Sequence, residues 1–173
     1  MAKIVLLGSD EPFPAGTPGT SWDAASGEPA YRKVIRLGEG EAEPDRSSMG
    51  PGVSVWIGEQ IDSEPEQGDP GAATALLAVG HQVAPDGDAE VFDEWWNTDH
   101  IPSLSRVPGT LSAHRYCSAS DEPMYFAIYH LKDADVRASD DWKTAATSEL
   151  GDRARQQWGK RLIGVYTASP AER

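Results

Sequence analysis

Residues 91–116 read VFDEWWNTDHIPSLSRVPGTLSAHRY, and the way this stretch folds decides the architecture of the chain. Phe92, Trp96 and His100 recur at i, i+4 and i+8, which on a helix is a single stripe; Trp95 and Asp99 form a neighbouring pair. Just upstream, Asp88 stands where an N-cap belongs and Glu90 puts negative charge into the first turn. A helix is therefore predicted over about residues 89–106. Pro102 has no amide hydrogen and should kink or end it near His100 or Ile101. Pro108-Gly109 is a firm stop. The following TLSAHRYC alternates as a strand does, with Ser112, His114 and Tyr116 on one face and Leu111, Ala113, Arg115 and Cys117 on the other.

Working outward, ATALLAVGHQV (73–83) and MYFAIYHLK (124–132) are apolar runs bounded by turn residues and predict strands. In the second of these, Tyr129 shares a face with Tyr125 and Ala127. A second helix is predicted from 134 or 139 to 158, and RLIGVYTA (161–168) as a closing strand. Residues 72–173 thus follow the order β-α-β-β-α-β, an α+β, ferredoxin-like unit with an antiparallel sheet. Residues 1–71 differ in texture. They are rich in Gly, Pro, Ser and acids, and predict an irregular N-terminal region with three short strands, KIVLLG (3–8), AYRKVIRLGEG (30–40) and VSVWIGEQID (53–62). A decayed repeat that lost its helices is one account of this region. The intervening loops, 10–29 and 41–52, offer little apolar surface to bury.

Composition narrows the function. The formal net charge of −13 and a pI near 4.6 disfavour nucleic acid and anionic membrane, which need clustered Lys and Arg. No apolar run approaches the roughly 20 residues that span a bilayer. The short apolar stretch at the N-terminus reads as a first strand rather than a leader, so a cytoplasmic protein is expected. Cys117 stands alone, which excludes an internal disulfide and fits a buried, inert thiol. The histidines at 81, 100, 114 and 130 have no ligand spacing, so no metal site is expected. Neither a Gly-rich phosphate loop nor a Gly-x-Ser-x-Gly elbow is present.

The pattern of Phe92, Trp95, Trp96, His100, Pro102, Leu104, Val107, Pro108, Gly109, Arg115 and Tyr116 resembles the dimeric α+β barrel superfamily, most closely its EthD-like members. The resemblance covers residues 73–168. It implies a four-stranded sheet with both helices on one face, and a second sheet closing a barrel on the other. That second sheet usually comes from another subunit, so a homodimer is expected, with the N-terminal strands as the rival cover. It also implies a small-molecule pocket between sheet and helices. Relatives by fold include cofactor-free monooxygenases, lactone isomerases, polyketide cyclases, dehydratases and haem peroxidases, and because this chain lacks the large extra segments of the peroxidases no cofactor is expected.

On this basis His100 is the candidate general acid or base, although a helix-end histidine can also simply cap carbonyls. Trp95, Trp96, Asn97, His114, Tyr116 and Tyr129 are candidate substrate contacts, while Asp93 and Glu94 are expected to face solvent. A cofactor-free isomerase, cyclase, dehydratase or oxygenase acting on an aromatic, polyketide-like or lactone compound is the function implied. A non-catalytic, ligand-binding or stress-associated protein is the alternative.

Overall fold

The computed structural model describes residues 2–170. Its strands are β1 (Lys3–Ser9), β2 (Thr20–Ser26), β3 (Tyr31–Leu37), β4 (Ser54–Gln60), β5 (Ala75–Val83), β6 (Thr110–Cys117), β7 (Tyr125–Leu131) and β8 (Trp158–Ala168). They pair antiparallel, edge to edge, in the closed order β1-β3-β2-β8-β5-β7-β6-β4.

This corrects the expected fold class. The chain is not a ferredoxin-like β-α-β-β-α-β sheet preceded by an irregular region; it is one closed eight-stranded antiparallel barrel with a few short helices. The reason lies in two seams. β4 pairs with β6 through Glu59–Cys117 and Gln60–Tyr116, and β2 pairs with β8 from Trp22–Ala168 onward. Closure satisfies the edge amides and carbonyls that an open four-stranded sheet would leave bare. The cover for the apolar sheet face therefore comes from the same chain.

Two local expectations change as well. β2 lies in a stretch that reads as loop, because TSWDAAS has little strand propensity apart from Trp22; its pairing with β3 and β8 is tertiary. The long second helix is three short ones, α3 (Asp135–Ala138), α4 (Asp140–Ala145) and α5 (Glu149–Arg155). Ser139 and Ser148 break it by capping, accepting hydrogen bonds from the amides of Trp142 and Gly151.

Alternation along the strands divides the apolar residues into two layers. Ile4, Leu6, Trp22, Val34, Trp56, Leu76, Ala78, Tyr116, Phe126, Ile128 and Tyr166 fill the barrel. Gly58 and Gly164 make room for two of the rings: a Cβ there would stand 2.3 Å from Trp56 and 2.4 Å from Tyr166. Outside, Leu77, Val79, Ala127, Tyr129 and Val165 of the C-terminal strands meet the helices. The N-terminal strands are covered by loops and one short 3-10 turn, Arg46–Met49, in place of the helices. Their outer residues Val5, Leu7 and Leu37 are covered by Phe13 and Met49, so the two Gly/Pro-rich loops are partly packed rather than bare.

Removing residues 1–71 would uncover Leu76, Ala78, Phe126, Ile128 and Tyr166 together and open both seams. The fragment 72–173 is expected to aggregate or self-associate when the full chain does not. Sedimentation and thermal melting test this: a monomeric fragment that melts cooperatively would show that the N-terminal strands are dispensable.

Candidate functional site

The site is built on residues 88–116. Asp88 caps α1 (Ala89–Trp95), its carboxylate accepting from the amides of Glu90 and Val91. The helix does not end at the proline, as its chemistry suggested. It widens into a π turn over Trp96–His100 and continues as α2 (Ile101–Ser105). The Ile101 amide donates to Trp96 O, five residues back, and Pro102 has no amide to offer. The extra residue per turn rotates the face that α1 would otherwise have presented. It leaves Trp95 and Trp96 buried, Asn97 exposed and His100 half-buried.

Beneath the π turn lies a fully buried arginine. Arg115, on the outer face of β6, is 0% exposed. Its Nε donates to His81 Nε2 at 3.2 Å, one terminal nitrogen donates to Asn97 Oδ1 at 3.4 Å and the other to Asp93 Oδ1 at 2.6 Å. Its guanidinium sits 4.1 Å from the centre of the Tyr125 ring. His81 is stacked between Trp96, at 4.2 Å and 9°, and Tyr125, at 5.4 Å and 15°. Its Nδ1 lies 3.1 Å from Val79 O and so carries the ring proton, leaving Nε2 free to accept from Arg115. Burial, followed by the neighbouring Arg115 charge, holds the His81 pKa well below its usual value. Burial also lowers the Arg115 pKa, which Asp93 opposes. The result is one rigid string, Asp93–Arg115–His81, running from half-exposed helix surface to buried sheet.

The layer around this string contains an uncommon number of orphaned groups. Trp95 Nε1, Trp96 Nε1, His100 Nδ1, Tyr129 OH and Trp158 Nε1 are buried without a hydrogen-bond partner. Each such group costs about 1–3 kcal/mol unless something answers it. His100 stacks on Trp95 at 4.2 Å and meets the edge of Trp96 at 4.8 Å. Burial first, then the charges of Arg155 and Arg161, hold its pKa down to about 3, so the ring is neutral. Asp99 does not orient it: that carboxylate accepts hydrogen bonds from Ser103 and Ser148. A cleft of about 490 Å³ opens beside Asn97 and Ile101, walled by residues 60–64.

The sheet divides the predicted site residues. Trp95, Trp96, Asn97, His100 and Tyr129 belong to the helix side, where burial also raises the Tyr129 hydroxyl pKa. His114 and Tyr116 point into the barrel. His114 Nδ1 lies 2.9 Å from Asp62 Oδ1 and 3.1 Å from the Gln60 amide nitrogen, while Asp62 Oδ2 accepts from the Arg115 amide at 2.6 Å. Sequence reasoning missed the roles of Arg115 and Asp93: the Asp93 side chain is 42% exposed, and it also holds Arg115. A signal was present: a lone arginine at an apolar position of a strand, and an acid one position from Phe92 and four from Asn97. Among the described residues, no three His, Cys, Asp or Glu side chains cluster as metal ligands, and no helix is long and apolar enough to cross a membrane.

No family model and no curated protein matches the chain in sequence. Solved structures do match in fold. An anthrone oxidase-like protein superposes with a TM-score of 0.57 at 14% identity, over 97% of this chain and 91% of its own. A major regulator of staphylococcal pathogenesis superposes with a TM-score of 0.62 at 12% identity, over 96% and 99%. A dimeric chlorite dismutase from Nitrobacter winogradskyi gives 0.56 at 10% identity, over 96% and 99%. The chain therefore shares the overall fold of these proteins. Because the likeness runs over nearly the whole of each chain, the N-terminal strands are part of what is shared.

Proposed function

We propose that this protein is a cofactor-free enzyme that removes a proton beside the carbonyl of a flat aromatic, polyketide-like or lactone compound, at the cleft next to the π turn. The observation that carries this is the set of five orphaned polar groups in one aromatic layer, beside an arginine whose charge reaches the cleft through Asn97. A planar carbonyl compound in the cleft meets Asn97 and Ile101 directly, and reaches the faces of Trp95 and Trp96 and the orphaned groups behind them only when the π turn that buries them shifts. Asn97 donates to the oxygen that becomes negative, and Arg115 behind it supports that charge in a site that cannot reorganise. His100, kept neutral by its surroundings, has an open ring nitrogen to receive the proton as the anion forms.

The resemblance to an anthrone oxidase-like protein makes anthrone a sensible first compound. Exchange of its acidic C–H in deuterium oxide, followed by NMR, reports proton removal whatever the eventual product. His100→Ala should slow enzyme-promoted exchange by roughly 100-fold while melting within about 1 kcal/mol of wild type. His130→Gln, inside the barrel against Trp22 and away from residues 60–64, should leave exchange alone. Equal exchange in His100→Ala and wild type would remove the histidine from the reaction.

A second reading has one observation in its favour. A histidine whose pKa lies about 3 is far from the value suited to proton transfer at neutral pH, which fits a ligand carrier. Anthrone that binds without accelerated exchange would select it. A homodimer, as in the chlorite dismutase relative, belongs to either reading and is read directly by sedimentation of the full chain.

A further inference from the structure

We propose that the barrel interior holds a second site, independent of the helix-side cleft, in which Arg32 binds a small monocarboxylate with an apolar or aromatic body. Arg32 projects inward from β3 and is 7% exposed. Its guanidinium lies 5.5 Å from the centre of the Phe126 ring and 5.3 Å from that of Tyr166. Among the described residues its side chain meets no carboxylate and makes no hydrogen bond, and Nε is sealed from solvent with no acceptor. Arg115 shows how this protein treats a buried arginine it uses structurally: three acceptors, one of them ionised. Arg32 has none.

The two rings answer only the face of the guanidinium. Its five N–H groups lie in its plane, and they call for an acceptor there. A carboxylate matches that fork with two parallel bonds and no change of shape.

A cavity of about 320 Å³ reaches Arg32 from the end of the barrel. Leu6, Trp56 and Phe126 wall it, and Leu162, 42% exposed, stands at its rim. The indole N–H of Trp56 is already given to Pro123 O at 2.7 Å, so that wall presents only apolar surface to a guest. A ring-sized acid fits such a space: charge at the bottom, hydrocarbon along the sides. Three further carboxylates, of Asp10, Glu28 and Glu122, line the same mouth. They oppose a phosphate dianion strongly and a single carboxylate much less, particularly one that leaves its water behind on a ring-lined path.

Leaving Nε of a largely buried guanidinium without an acceptor opposes folding, so Arg32 is expected to behave as a binding group retained at a cost in stability. The probe is phenylacetate, titrated into the full chain by calorimetry and ligand-detected NMR, with 2-phenylethanol as its neutral counterpart and inorganic phosphate as the dianion. Phenylacetate should bind saturably with Kd on the order of 1 mM or tighter, and at least tenfold better than either comparison compound.

Arg32→Gln should weaken phenylacetate tenfold or more without lowering the melting temperature. Leu162→Trp, which closes the rim and leaves Arg32 in place, should do the same to binding. Asn97→Ala, in the helix-side cleft, should bind phenylacetate as wild type does. Wild-type affinity in Arg32→Gln or in Leu162→Trp, equal binding of the alcohol, equal binding of phosphate, or no binding of phenylacetate would each overturn the assignment. Loss of binding in Asn97→Ala would overturn it too, by moving the probe to the other side of the sheet.

Discussion

Lowering the pH from 7.5 to 5 is expected to destabilise this protein by roughly 4–6 kcal/mol, a drop of about 10–20 °C in melting temperature. The cause is three histidines folded in their neutral form. His81 is held well below its ordinary pKa, and His100 and His130 are held down to about 3, burial being the largest cause for all three. In the unfolded chain each takes a proton near pH 6.5. Below that value the unfolded state binds protons that the folded state refuses, so stability falls as pH falls. The window opens near 6.5 and extends toward 3. At pH 5 the difference is about 2 kcal/mol for each of His100 and His130, and His81 adds to it with the same sign.

His130 is the cleanest reporter. It sits in the barrel with Nδ1 2.9 Å from Ser112 Oγ and its ring in a T-shaped contact with Trp22. A rival effect has the opposite sign. The chain carries a formal charge of −13, and acid relieves that repulsion, which alone would raise stability toward pH 5. Urea melts at pH 7.5, 6.5, 6 and 5 separate the two. His130→Gln should remove about a third of the slope whatever it does to stability at pH 7.5. A His130→Gln slope equal to that of the wild type would mean that this ring is not held neutral in the fold.

What the sequence made legible follows from how local its signals are. The Asp88 cap and the stripe of Phe92 and Trp96 are readable because helix geometry is set within a few residues. The alternation of β5, β6 and β7 was equally plain, and with it the opposite facing of His114 and Arg115. Closure of the barrel was not legible, because the seams joining β4 to β6 and β2 to β8 are contacts between distant segments. Thr20–Ser26 becomes a strand only by being gripped from both sides. The widened turn at Trp96–His100 was half legible: Pro102 announced a disturbance, but whether a helix breaks or inserts a residue depends on what packs beneath it. For the site, aromatic and histidine residues drew attention because their chemistry is conspicuous. Arg115 and Arg32 did not, since an arginine in sequence reads as surface until its surroundings are known.

The string that organises the site should also break in a characteristic way. Asp93→Ala leaves Arg115 with its charge fully buried and, among the described residues, its one ionised partner gone, since the Arg115 side chain is 0% exposed and that of Asp93 42%. Half-exposure of the acid softens the loss, because water can reach part of what it vacates. Even so, the cost is expected at about 2–3 kcal/mol, well outside the ±0.5 kcal/mol of an ordinary surface substitution. Arg115→Met removes the charge instead. It keeps most of the volume packed on Tyr125, returns Asp93 to solvent, and leaves His81 Nε2 as the one new orphan.

The two changes should therefore not add. Introducing Arg115→Met into Asp93→Ala should recover at least half of what Asp93→Ala lost, a coupling of about 1–2 kcal/mol in a double-mutant cycle measured by urea melts. The same Arg115→Met protein should lose anthrone exchange by roughly 100-fold, because Asn97 no longer has a cation behind it. Asp93→Ala, which keeps that cation, should retain more of it. If Asp93→Ala melts within 0.5 kcal/mol of wild type, or the two changes simply add, the ion pair is ornamental. The charge reaching the cleft would then have to come from elsewhere.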